Sequence, residues 1–528
     1  MHALKGQLFS VGTHASIRSI RRQPLSPLRK PSLNAFSQAA VASGHRQTLE
    51  ESPSADTIFA LSTHPGKSAI AIVRVSGPQT ASVLSQMLAA KCPPAARKAT
   101  MTRITHPLDA SNTLDTAICL WFPGPHSYTG EDMAEFHIHG GTAVIGSVLQ
   151  ALGDINGVRM AAAGEFSRRA FDNDKMDLTK LEGVADLINA ETEEQRKLAV
   201  RQIDGELYIK YSRWREAIVG ARARIEAVID FSEEENIEDG VYAQVRQDVD
   251  ALRMEIAGHL DDRRRGEIMR SGVALSIVGP PNSGKSTMLN KLAMRQVAIV
   301  SPIAGTTRDI VETTLDIGGY PVVVRDSAGL RKSSDDVIEI EGIRRAIQAA
   351  ENADVRIFML DAAQALRCTS LEQVLDDADW KRLLYLPHTF VVLNKSDTLG
   401  TLDSAMTKQA IDRWVSAQKQ LLGAPVALVS CTTMHGWDAL MGKVADDIRQ
   451  SWGRSAGSSM PLTKARHREH LKRCLYHLDA FDRIGEEDLV VLAAEELRAA
   501  SDALGKITGN VGIEDILDAL FSEFCIGK

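Results

Sequence analysis
No two of the six cysteines, Cys92, Cys119, Cys368, Cys431, Cys474 and Cys525, form a C-x-x-C pair. Neither a thiolate zinc site nor a disulfide framework is supported by that scatter. No apolar run approaches the roughly 18 residues that a membrane-spanning helix needs, so no membrane insertion is expected. Acid is missing from residues 1–49, which hold seven Lys/Arg, while the whole chain carries a formal charge of −7. A leader rich in Arg, Ser and Ala and free of Asp and Glu has the makeup of a mitochondrial transit peptide, pointing to the matrix. Pro24, Pro27 and Pro31 limit its helix to the first turns. The competing reading is a basic tail that binds nucleic acid or an acidic partner.

What is present is a phosphate cradle. The apolar run Val273–Val278 leads into Gly279-Pro-Pro-Asn-Ser-Gly-Lys-Ser286, a strand, glycine-rich turn and helix that direct backbone N–H groups and a helix N-terminus at polyphosphate. Asn282, Ser283, Gly284, Lys285, Ser286 and Thr287 are expected to contact the nucleotide. Lys285 reaches the β- and γ-phosphates, and the Ser286 hydroxyl ligates Mg2+. Downstream, a strand ends at Asp326, followed by Ser-Ala-Gly329, the D-x-x-G element of a metal and γ-phosphate sensor. A third strand ends in Asn394-Lys395-Ser-Asp397. A carboxylate at Asp397 accepts both guanine N1–H and N2–H, a donor pair that adenine lacks, and so selects GTP. Ser430, Cys431 and Thr432 follow another strand and are expected to offer N–H groups to guanine O6.

Along the chain, Asp56–Leu61, Ala69–Val75 and Ala117–Phe122 read as strands and Val83–Ala90 as a helix. The Gly- and Pro-rich loop Phe122–Asp132 suits the rim of a small-molecule site. From Leu178 the apolar spacing turns helical, through Glu216–Ile229 and Val245–Ile268; it resumes at Lys464 and runs through Leu489–Leu504 and Ile513–Phe524. Six segments follow: a leader at 1–55, an α+β domain at 56–176, a first helical part at 177–270, a GTPase domain at 271–450, a linker at 451–463 and a second helical part at 464–528. The fold class is α/β multidomain, with a Ras-like P-loop GTPase domain inserted into a discontinuous helical domain. The two helical halves are therefore expected to touch.

Beyond the nucleotide motifs, the FPGP-x-S-x-TGED block at Phe122–Asp132, GEF-x-x-RAF at Gly164–Phe171, GTTRD at Gly305–Asp309 and the terminal Cys525-Ile-Gly-Lys528 resemble one family, the MnmE-type (TrmE) tRNA-modification GTPases of bacteria and mitochondria. The resemblance implies an N-terminal domain that binds tetrahydrofolate, in its 5,10-methylene or 5-formyl form, through Arg74, Glu135, Lys175 and Lys528. It implies a homodimer whose GTPase domains pair when GTP is bound, and an MnmG-type protein carrying FAD. Together these would install an aminomethyl-type group on carbon 5 of a tRNA wobble uridine, with folate supplying the carbon. Cys525 is the thiol of the family's terminal motif; the alternative is a small residue packing a helix end.

Leu330 follows Gly329, where Ras-like proteins carry the glutamine that orients water. By resemblance, Asn282, Ser301, Ile303 and Thr306 would instead hold K+ beside the phosphates. Thr307 would complete the magnesium shell. Glu339 would position water, with Glu341 as competitor because one extra residue separates it from Asp326. Lys285, Thr306, Glu339 and Cys525 are thus the candidate catalytic residues. The first alternative function is a ribosome-assembly RNA-binding GTPase, and the second is a purely regulatory switch. Arg263–Arg265 and Arg466–Arg473 read as solvated helix faces, with Arg466, Arg468, Lys472 and Arg473 available to tRNA phosphates.

Overall fold
The computed structural model describes residues 56–231, 241–262, 264–295, 312–325, 344, 346–375, 378–399, 405–453, 460–484, 490–511, 517, 520, 521, 524 and 527. Several expected site residues lie outside this set: Ser301, Ile303, Thr306, Thr307, Asp326, Gly329, Glu339, Glu341, Cys525 and Lys528. So does the leader.

The first sheet has six strands: β1 (Thr57–Leu61), β2 (Ile70–Ser76), β3 (Thr100–His106), β4 (Asp109–Phe122), β5 (Met133–His139) and β6 (Val158–Met160). Their order is β3-β4-β5-β2-β1-β6, antiparallel except for the β1–β6 pair. Alternation along the strands sends Val73, Val75, Cys119, Phe136 and Ile138 to one face, where they are buried. The helices α1 (Thr80–Met87) and α2 (Thr142–Gly153) supply Val83, Leu84, Val148 and Leu152 to the same core. The opposite face carries Arg74, Glu135 and His137, and α3 (Glu165–Asp172) packs Phe166 against Ile58 and Ala60 there.

The first helical part comprises α4 (Leu178–Ile188), α5 (Glu193–Ile203), α6 (Glu206–Phe231), α7 (Val241–Leu260) and α8 (Arg265–Ser271). Asp177 caps α4 by accepting from the Lys180 amide, and Thr192 with Gln195 forms a capping box on α5. The continuous helix expected over Val245–Ile268 is broken. Arg264 is left-handed (φ 59°), and Asp262 Oδ1 accepts its amide in a local turn. The turn is tied to a distant segment: Asp262 Oδ2 accepts the Leu462 amide at 3.2 Å, and a Cβ on Gly266 would stand 2.1 Å from the Leu462 carbonyl oxygen, so the segment leaving the inserted domain crosses the segment entering it at a glycine.

The inserted domain has β7 (Val273–Val278), α9 (Lys285–Arg295), β8 (Glu312–Ile317), β9 (Tyr320–Arg325), β10 (Val355–Asp361), β11 (Thr389–Asn394), α10 (Ala405–Leu422), β12 (Val426–Leu428) and α11 (Trp437–Ser451). Its sheet order is β12-β11-β10-β7-β9-β8, parallel except for β8 against β9. Strands buried on both faces, such as Thr389–Asn394, carry an unbroken apolar run, here residues 390–393, as a helix-covered parallel sheet requires.

The chain then returns to the helical domain as α12 (Ala465–Arg483) and α13 (Val490–Thr508). The expected contact between halves is there: Tyr211, Trp214 and Ile218 of α6 share a core with Leu471, Leu478, Leu497 and Leu504. Arg253 Nη1 reaches Asp479 Oδ1 at 3.0 Å, and Arg246 Nε reaches Asp482 Oδ1 at 2.9 Å. Among the described residues, no helix is long and apolar enough to cross a membrane.

Candidate functional site
The loop after β7 is shaped by backbone that side chains would obstruct. At Gly279 (φ 144°) a Cβ would meet the Met359 carbonyl oxygen at 2.1 Å, and at Gly284 (φ 101°) it would meet Asn394 Nδ2 at 2.1 Å. Asn282 is also left-handed, at φ 62°. The loop therefore lies tight on β10 and β11 and opens into the first turn of α9. Lys285 Nζ donates to the carbonyls of Gly279 and Pro280, both at 2.9 Å, so the ammonium spans the cradle. Ser286 and Thr287 are exposed on the first helical turn. Ser283 Oγ is buried and finds no hydrogen-bond partner among the described residues. This cradle of amides, a helix N-terminus, a cation and a spare hydroxyl fits a polyphosphate and its magnesium. Of the expected metal ligands, Ser286 and Asn282 are described.

One buried carboxamide ties this loop to the end of β11 and to the loop after β12. Asn394, 3% exposed, donates through Nδ2 to the Ser283 carbonyl at 2.9 Å and accepts through Oδ1 from the Cys431 amide at 3.1 Å. Lys395 (φ 63°) places Nζ 3.0 Å from Asp361 Oδ2. The Ser430 hydroxyl donates to Asp397 Oδ1 and in turn accepts from the Thr433 amide. The exposed Asp397 carboxylate is thereby oriented. The expected trio of amides is largely spent within the protein. Ser430 N–H goes to the His435 carbonyl and Cys431 N–H to Asn394, while the Thr432 amide has no partner among the described residues. Burial, then the nearby Asp397 charge, pushes the Cys431 thiol up to about 11. It stays protonated at neutral pH.

The second site lies on the open face of the first sheet. Arg74 and Glu135 are direct partners across β2 and β5, and Arg74 Nε and Nη2 both reach Glu135 Oε1, at 3.1 and 3.0 Å. His137, two residues on and so on the same face, holds Glu135 Oε2 at 3.2 Å. The guanidinium sits 5.4 Å from the Tyr128 ring centroid and 5.9 Å from that of Phe166. Lys175 is exposed, with its Cε 3.2 Å from where a Cβ on Gly130 would stand. From the far end of the chain, the Gly527 carbonyl accepts from Ser62 Oγ at 3.0 Å just after β1. Gly164 (φ 68°) packs on the Phe521 backbone. The neighbour of Lys528 is thus seated against the N-terminal sheet.

The loop Phe122–Asp132 is a cross-linked strap. Asp132 Oδ1 accepts the Gly124 amide at 2.8 Å, and Asn173 Nδ2 donates to the Thr129 carbonyl at 2.7 Å. Tyr128 Oη bonds Ser167 Oγ at 2.9 Å. Glu131 takes Ser76 Oγ at 2.7 Å and Arg169 Nη1 at 3.0 Å. Sequence reasoning singled out the block without finding these bonds. Its Tyr128 reaches both the site and α3, Asp132 closes the strap on itself, and Thr129 and Glu131 tie it to the end of α3, to Arg169 and to β2. His137 also went unassigned, although its i+2 spacing from Glu135 on a strand was a usable signal.

The inserted domain is anchored at α4. That helix's Asp186 accepts from Arg270 Nε at 2.7 Å, just before β7, and from Lys464 Nζ at 3.1 Å, just before α12, so one carboxylate holds both connections of the inserted domain. The Glu194 amide on α5 donates to Gly319 in the β8–β9 turn at 3.2 Å. The basic cluster on α12 differs from expectation. Arg466 is committed to Glu182 and to the carbonyls of Lys506 and Ile507, and Arg468 to Asp262, Glu267 and the Leu260 carbonyl. These two arginines stitch the helical halves rather than face solvent, because each meets acids on the first half. Lys472 and Arg473 do remain exposed.

A profile of the MnmE helical domain matches residues 178–525, and one of the GTP-binding protein TrmE N-terminus matches residues 57–175. The mitochondrial 5-taurinomethyluridine-[tRNA] synthase subunit GTPB3 of Danio rerio is 46% identical over 481 residues, covering 90% of this chain and 94% of that protein. Its counterpart in Rattus norvegicus is 44% identical over 482 residues, 89% of this chain and 93% of that one. The tRNA modification GTPase MnmE of Rhodospirillum rubrum is 44% identical over 487 residues, 90% and 99% of the two chains. With a profile match over more than half its length and this identity along nine-tenths of it, the chain belongs to the TrmE/MnmE family.

Proposed function
We propose that this protein hydrolyses GTP in step with the modification of carbon 5 of the wobble uridine in tRNAs. It acts in the mitochondrial matrix as a homodimer, with an FAD-bearing MnmG-type protein. The carbon comes from a methylene-tetrahydrofolate held at Arg74, Glu135, Lys175 and Lys528, and the product is of the carboxymethylaminomethyl or taurinomethyl type. The observation that carries the reading is the occurrence in one family member of two sites: a base-reading loop ordered by Asn394 and Ser430, and a sheet face where Arg74 and Glu135 meet beside the seated C-terminal end. Each site suits its ligand: a carboxylate accepts paired N–H donors, and cations suit glutamyl carboxylates.

Magnesium held by Ser286 and Thr307, with Asp326 through water, and potassium held by Asn282, Ser301, Ile303 and Thr306 would offset charge developing on the phosphates. Lys285 gives up its loop carbonyls to bind β- and γ-phosphate oxygens. Asp397 reads the guanine edge, and Glu339 orients water. We expect Glu339→Ala to lower kcat about a hundredfold or more with GTP affinity nearly unchanged, the signature of a transition-state role. The same loss in Glu341→Ala alone would move the role there. Turnover should also fall when potassium is replaced by sodium.

The reading as a whole is tested by mass spectrometry of wobble nucleosides from cells lacking the protein. Loss of the carbon-5 group is expected, and a full complement of modified uridine would overturn the proposal.

A further inference from the structure
We propose that His137 is a positioning residue for Glu135, fixing the carboxylate plane that receives the paired N–H donors of a reduced pterin. This rests on the folate reading of the sheet face. The argument is a count of lone pairs. An ionised carboxylate offers about four acceptor positions, two on each oxygen. Arg74 Nε and Nη2 occupy both positions of Oε1, at 3.1 and 3.0 Å, and His137 Nε2 takes one position of Oε2, at 3.2 Å. A ligand with two parallel N–H groups needs one position on each oxygen. Oε2 can offer one; Oε1 can do so only after Arg74 releases a bond.

Arg74 can release it without losing its place, because the Tyr128 and Phe166 rings flank the guanidinium. Once it does, the carboxylate is free to turn, since rotation about the last bond of a glutamate is broad and roughly two-fold. A hydrogen bond on the other oxygen stops that rotation, and His137 supplies it. Its ring is well placed to persist. The residue lies on β5 between Ile72 of β2 and Ile118 of β4 in register, and its side chain is 26% exposed against 16% for Glu135. Because an ionised carboxylate cannot donate, the imidazole must carry its proton on Nε2.

A merely structural bond between two strand neighbours would affect all ligands of the face alike. A positioning bond acts on ligands that use both carboxylate oxygens. Binding of 5-formyltetrahydrofolate and of its analogue with the 2-amino group replaced by methyl should therefore be measured on the full chain, for wild type, His137→Leu, His137→Gln and Glu135→Gln. The expected result is that His137→Leu weakens the folate about tenfold, the worth of one hydrogen bond to a charged group at ~1.4 kcal/mol, and leaves the analogue within about twofold. His137→Gln, whose amide can stand in for Nε2–H, restores the difference. The ratio of the two ligands within one sample guards against partly folded protein. Equal weakening of both ligands, or no weakening of either, overturns the inference. Should wild type discriminate between the ligands and Glu135→Gln abolish this while His137→Leu keeps it, the folate reading stands and the role of His137 falls. Should wild type bind no folate, both fall.

Discussion

Asn394→Ala is expected to lower GTP and GDP affinity by a hundredfold or more, the largest effect of any single substitution in the base-reading loops. Its carboxamide is 3% exposed and bonds the Ser283 carbonyl on the phosphate loop and the Cys431 amide on the loop after β12. Removing it leaves one buried acceptor and one buried donor unpaired, each costing about 1–3 kcal/mol. It also empties the space against which Gly284 packs, so the cradle and the base loop lose their shared reference at once. Lys395→Ala should do much less to the free protein. Its pair with Asp361 is about one-third exposed on the lysine side, and such pairs contribute about 1 kcal/mol or less. Thermal unfolding of the free protein separates the two, and fluorescent nucleotide titration reads the first: near-normal affinity in Asn394→Ala would show that the loops are held by other contacts.

The second large effect is expected at Glu182, the point where α4 grips the returning half of the helical domain. Its carboxylate takes His467 Nε2 at 2.8 Å and Arg466 Nη2 at 3.0 Å in a site where His467 is fully buried. Burial works against the charge, but His467, Arg466 and Lys464 outweigh it and hold the carboxyl down to about 2. Glu182→Ala would strand the Arg466 cation and should cost about 3–5 kcal/mol, the range for breaking one side of a buried pair. Thermal unfolding of the helical domain reads this directly. A loss below 1 kcal/mol would mean that water or the Lys506 and Ile507 carbonyls replace the acid.

The same cluster sets the response to acid. Because Glu182 titrates lower folded than unfolded, its contribution is complete above about pH 4.5 and fades as pH falls toward 2. The histidines act earlier. Burial, with Lys210 next, lowers His259 to about 3, and burial, with Arg466 next, lowers His470 to about 4, both from 6.5. Unfolded chains bind protons at these sites below about pH 6.5 while the fold does not, so stability should fall as pH drops from 6.5 through these values. Melting temperature should therefore decline between pH 7 and 5, before most carboxylates titrate. A flat profile over that interval would show the histidines to be solvated.

The strand, turn and helix of the phosphate loop were legible in the primary structure because those parts are local. The strand before Gly279, the glycines at 279 and 284 and the helix from Lys285 lie within a few turns of chain, and backbone cradles of this kind depend on neighbours. The helical halves were legible from their 3.6-residue spacing, down to the contact between them. The break at Arg264 was not, since it answers to Leu462, roughly two hundred residues on. Nor were the internal roles of Arg466 and Arg468. A basic helix face looks solvated until the acids it meets are known, and those acids sit on α4, α8 and the turn before α8.

Sequence by itself determined the strand, turn and helix around the phosphate loop, much of the helical patterning, and the family to which the chain belongs. These follow from side-chain period, turn chemistry and motifs a few residues long. Tertiary structure decided the rest. It brought Arg74 onto Glu135 across 61 residues and Gly527 onto Ser62 across 465, and it placed Asp186 between both connections of the inserted domain. Pairings at such distances are set by strand register and by which apolar faces bury one another. Those are properties of the packed whole, which no local pattern encodes.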